Sequence, residues 1–76
     1  MELQCHKIKI VHPINIIKIQ KRLFKLGYRW IGQNNNIIVN EIKTIFIHNN
    51  RKMSYTNKYS HNLYKDYKYI HESFLM

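Results

Sequence analysis

Cysteine is nearly absent from this chain: Cys5 is the only one in 76 residues. No intrachain disulfide can form, and a lone thiol fits a reducing compartment. Glycine occurs twice and proline once, which leaves no glycine-rich phosphate loop and no flexible linker. Long apolar runs are missing too. The longest have three residues, as in Ile37-Ile38-Val39 and Ile45-Phe46-Ile47, whereas a membrane-spanning helix needs about 20. The opening Met1-Glu2-Leu3-Gln4-Cys5-His6 has no basic stretch leading into an apolar one, so no secretory leader is expected. A cytoplasmic protein without membrane association is the expectation.

Acidic residues are the next scarcity. Glu2, Glu41, Asp66 and Glu72 are the only four, against 13 Lys and Arg, for a formal charge of +9. The excess sits at the two ends, with +5 over residues 1–26, +1 over 27–50 and +3 over 51–76. Such a field draws anionic partners and speeds encounter with them, and says nothing about fold.

Alanine is absent altogether, while Ile, Lys, Asn and Tyr supply 38 residues. Those four can be written with A and T alone or nearly so, whereas alanine codons need G and C. The composition reads as an AT-rich genome, such as that of a phage or a low-GC bacterium. Five histidines stand outside that bias, because their codons need a C.

At this length the chain is expected to form one domain over residues 1–76. A domain of this size buries only roughly 60% of its unfolded surface. Without covalent staples, a homo-oligomer is a natural way to add stability.

Lys7-Ile8-Lys9-Ile10 alternates polar and apolar, the pattern of a half-buried strand with Ile8 and Ile10 inward. His12-Pro13 ends it. A helix follows from about Ile14 to Leu26, opened by Asn15 as N-cap or by Pro13 in the first turn. At 100° per residue, Ile16, Ile17, Ile19, Leu23, Phe24 and Leu26 fall in one half of the wheel. Lys18, Lys21, Arg22 and Lys25 fall in the other, within an arc of about 100°. Gly27 supplies the left-handed stop. Tyr28 and Trp30 then share one face of a strand, with Arg29 and Ile31 on the other. Gly32-Gln33-Asn34-Asn35 is a turn, 37–39 a buried strand, 40–43 a turn and 44–48 a further strand. A loop is expected over 49–62, ordered by Met53 and Tyr55. Tyr67-Lys68-Tyr69-Ile70 makes a last short strand, and 71–76 a helical turn docking Phe74 and Leu75. The expected fold is α+β: a two-layer β-α-β-β-β antiparallel meander on one helix, with a short C-terminal strand and helical turn.

Leu26, Gly27, Tyr28 and Trp30, with Gly32 two positions on, and the later Tyr67, Ile70, Phe74 and Leu75 carry a resemblance. The chain resembles a diffuse group of small phage proteins with a Leu-Gly-Tyr-x-Trp-x-x-Gly-like segment and a Tyr-x-x-Ile-x-x-x-Phe-Leu-like end. The resemblance implies a viral setting, with host takeover or counter-defence as the role. It implies structural parts for Gly27, Tyr28, Trp30 and Phe74.

The sharpest functional candidate is Lys18, Lys21, Arg22 and Lys25. Like charges at these spacings cost roughly 0.2–0.5 kcal/mol per pair, and no glutamate is interspersed to relieve them. That marks a face for an anionic partner; the competing reading is a solvated face whose lysines come from coding bias. Tyr64, Lys65, Tyr67 and Lys68 interleave rings and cations, so that bases could stack while lysines track phosphates; the plain alternative is packing. Tyr28 and Trp30 read as core, with a stacking platform as the other use of two rings on one face.

Metal and catalytic readings have little to stand on. Cys5 and His6 are adjacent and point to opposite faces of a strand, and His6 and His12 would lie about 20 Å apart on an extended chain. No motif-spaced acid pair, nucleophile elbow or His-Glu-x-x-His occurs. The expectation is a non-catalytic protein with no cofactor and no metal. Its partner is a host protein or an acidic ligand, nucleotide or nucleic acid. The alternative is a small basic nucleic-acid-binding domain.

Overall fold

The structure, a computed structural model, describes residues 4–32, 36–38, 41–59 and 63–75. Strands β1 (His6–Lys9), β2 (Arg29–Trp30), β3 (Thr44–Ile47), β4 (Lys52–Thr56) and β5 (Lys68–His71) form one sheet, and α1 (Asn15–Lys25) is the only α-helix among the described residues. The fold is α+β, as expected, but the sheet is not a meander. Its order is β2-β4-β3-β1-β5. β1 pairs antiparallel with β3, and β3 with β4, while β1–β5 and β2–β4 are parallel.

The helix forms where its periodicity places it, because Ile16, Ile19 and Leu23 recur on one side and are buried. Its start differs from expectation. Ile14 occupies the cap position without a side-chain hydrogen bond; Asn15 is the first helical residue and caps nothing. Ile17 and Leu26, on the apolar half of the wheel, remain exposed. The stop follows the sequence: Gly27 has φ +97. The Gly27 N–H donates to the Phe24 carbonyl and the Tyr28 N–H to the Leu23 carbonyl, both at 3.0 Å, the two bonds of a Schellman ending.

The sheet face under α1 is aliphatic. Ile8, Ile10, Ile45, Ile47 and Met53 pack with Ile16, Ile19 and Leu23, joined by Tyr28, Trp30, Ile42 and Leu75. Register places Lys7, Phe46, Ser54 and Tyr69 together on the opposite face. That face is covered as well. Lys7 is only 2% exposed, and its ammonium donates to the Leu63 carbonyl at 3.3 Å above the Tyr69 ring. β1 is therefore covered on both sides at Lys7 and Ile8, while Lys9, on the same face as Lys7, stays exposed.

The expected loop over 49–62 contains β4, bordered by β3 and β2. Residues 37 and 38 form no strand. The amide of fully buried Gln20 accepts from the Ile38 N–H and donates to the Ile38 carbonyl, each at 2.7 Å, so one side chain satisfies backbone groups that a neighbouring strand would otherwise meet. The Trp30 indole N–H holds the Asn36 carbonyl at 3.0 Å. β5 lies one residue later than expected. The C-terminal turn is a 3-10 turn over Glu72–Leu75 that buries Leu75, whereas Phe74 is 61% exposed and is not the docking residue its expected structural part required. Expectations for Gln33, Asn34, Asn35, Val39, Asn40 and Met76 lie outside the described residues.

Candidate functional site: the basic face of the helix

Aliphatic residues face the sheet at the inward positions of α1, so the outward ones carry Lys18, Lys21, Arg22 and Lys25, all exposed. The structure brings all four together around a shallow depression of about 400 Å³ that also touches Leu75 of the C-terminal turn. Among the described residues none of the four meets a carboxylate. Glu41 pairs with Lys43 at 2.9 Å. Glu72 is buried, with Oε1 accepting the His12 N–H at 3.3 Å and Oε2 without a hydrogen-bond partner among the described residues.

Two other cations near the helix have structural employment. The Arg29 guanidinium donates to the Phe24 carbonyl at 2.9 Å and the Tyr28 carbonyl at 2.7 Å. That of Arg51 donates to the Leu26 carbonyl at 2.7 Å and lies over the Tyr28 ring. Both satisfy carbonyls at the negative end of the helix dipole. Arg51 and Asn50 hold left-handed φ values of 58 and 60 in the β3–β4 turn, closed by the Lys52 N–H on the Asn49 carbonyl.

The second candidate set lies on the far side of the sheet. Tyr64 and Tyr67 stack on each other at 4.8 Å, and Tyr64 packs at 4.8 Å from both Phe46 and His48. These rings roof the sheet, so the packing role is the one the geometry displays. Lys65 and Lys68 are exposed. Tyr59, on the same side, carries Lys9 and Lys43 over its ring. Rings and cations thus do not form one continuous track with α1, because the sheet stands between them.

Sequence reading missed the polar group at the middle of this roof. His48 Nδ1 lies 2.7 Å from the Tyr67 hydroxyl and Nε2 2.7 Å from Ser54 Oγ. Burial holds the imidazole below its ordinary pKa of 6.5. Burial, with Cys5 and Tyr64 adding to it, pushes the Tyr67 hydroxyl up. Both ring nitrogens are satisfied by hydroxyls, which is what a half-buried histidine requires. The excess of histidine was the only hint, and it does not say which histidine or which partners.

Tyr28 and Trp30 are buried, and Trp30 meets Phe24 and Tyr55 edge-on; they are core, not a platform. Cys5 is exposed, with its thiol 3.6 Å from Asn49 Oδ1. Among the described residues no group of three or more His, Cys, Asp or Glu could hold a metal ion, and no helix is long and apolar enough to cross a membrane. Compared with known proteins, the chain matches no family model, no curated protein and no solved structure.

Proposed function

We propose that this is a small non-catalytic binding protein that holds an anionic partner on Lys18, Lys21, Arg22 and Lys25. In the phage setting suggested by the Leu26-Gly27-Tyr28-Arg29-Trp30 segment, it serves host takeover or counter-defence in the bacterial cytoplasm, inhibiting a host protein or sequestering an acidic ligand. The observation that carries the reading is that, among the described residues, no carboxylate lies beside four exposed cations gathered on two helical turns. The fold tolerates like-charge repulsion there, and an anion would relieve it. Host-lysate capture on the wild type and on a variant with all four changed to Gln, each with and without nuclease, tests this. A partner retained by the wild type and lost by the variant is expected; equal capture by both counts against it.

A nucleic-acid-binding domain is the second reading, supported by the charge of +9. Its mark is affinity that falls steeply with salt, with a slope flattened by the same four substitutions. A partner that disappears on nuclease treatment favours it.

A further inference from the structure

We infer that the anionic partner of α1 is an acidic polypeptide segment that seats an apolar side chain over Leu75, between the helix and the C-terminal turn. The inference rests on the reading that this helix face binds an anion, and adds the chemical class of the occupant.

The depression has two chemistries. Its rim is Lys18, Lys21, Arg22 and Lys25, and Leu75 is the fifth lining residue. Leu75 is 3% exposed, so it lies beneath the floor and shows a ligand almost none of its own surface. Lysine and arginine lay apolar stems along such a floor and hold their charged heads in water. A ligand that enters meets methylenes below and cations around it. A bare phosphate or carboxylate uses only the rim. An apolar side chain flanked by Asp or Glu uses both, and an open depression of about 400 Å³ leaves room for a side chain the size of Leu or Phe.

The dimensions agree. Lys18 to Lys25 spans about 10 Å along the helix axis at 1.5 Å per residue. Carboxylates spaced three or four apart on a partner helix repeat at the same rise. A nucleic-acid strand fits less well. Its bases need stacking surfaces, the floor here is aliphatic, and Tyr64 and Tyr67 stand beyond the sheet. A second copy of this chain would bring four more cations to the rim.

The test titrates the full chain with labelled probes of equal charge: a Glu-rich peptide with one central Leu, the same peptide with Ser in its place, and an oligo-dT. Anisotropy gives affinity, and amide shifts in a ¹⁵N-labelled sample give location. The Leu peptide is expected to bind about tenfold tighter than the Ser peptide, the scale of covering one such side chain. It should shift Leu75 and α1, and lose binding when all four cations become Gln in a variant whose dispersed spectrum shows it folded. Equal affinity for the two peptides, both lost in the Gln variant, overturns the apolar seat and leaves anion binding standing. Tighter binding of oligo-dT through the same cations does likewise. Failure of all three probes, or binding that survives the Gln substitutions, overturns both readings.

Discussion

The two faces of the sheet are held by different physics. Under α1, aliphatic side chains meet without directional demands: Ile8, Ile19, Leu23, Ile45, Ile47 and Met53 are fully buried. Their stabilisation scales with the apolar area removed from water. On the opposite face, Phe46 is covered by Tyr64, Lys7 hydrogen-bonds a carbonyl, and His48 bridges Tyr67 and Ser54. Those contacts depend on angle, tautomer and pH. The first face makes the fold; the second closes it. Function is proposed on the outer side of the first, where a stable helix can carry four like charges.

The hardest test of that division is Leu23→Ala, expected to cost about 2–5 kcal/mol in urea unfolding. A domain of 76 residues is held by about 4–11 kcal/mol in all, so this variant approaches unfolding. Gly27→Ala should cost about 1–2 kcal/mol. A Cβ there would sit 3.6 Å from Arg51 atoms, an ordinary contact, so the cost comes from the left-handed φ rather than from a clash. Tyr67→Phe removes one hydroxyl from His48 and should cost about 1 kcal/mol. A loss equal to that of Leu23→Ala would erase the distinction between the faces.

Acidification sharpens the same comparison. His48 titrates lower in the folded protein than its ordinary 6.5 because burial disfavours the cation, so below about pH 6.5 the unfolded chain binds more protons. Its contribution is complete above that value and is lost as pH falls through the lowered folded pKa. Urea midpoints from about pH 7.5 to about 5 should decline more for the wild type than for His48→Gln; parallel declines would contradict this assignment. The smallest expected effect has the opposite sign. Lys21→Glu sets a glutamate four residues before Lys25 and should raise stability by about 0.3–0.5 kcal/mol while weakening anion binding, a measured opposition of stability and function.

Legibility in the sequence follows the range of each interaction. α1, its Gly27 ending and the strands β1, β3 and β5 rest on neighbours in the chain, and periodicity reveals them. β4 does not: Lys52, Ser54 and Thr56 read as loop residues, and its ladders come from β3 and β2. Ile37 and Ile38 read as strand, yet Gln20 on a distant helix satisfies the Ile38 backbone. Of the candidate site, the four cations are visible from the helical repeat. That Leu75 docks was legible too, but its place beneath these cations was not, because it depends on where the last turn settles.

The class of fold, the helix with its inward and outward faces, and the cationic stripe follow from side chains a few residues apart. The strand order, the parallel pairings, the ring-covered second face around His48 and the place of Leu75 beneath the basic rim come from long-range packing alone. Each of those joins segments whose closure entropy has to be offset by burial elsewhere, and local pattern holds no record of which closures succeed.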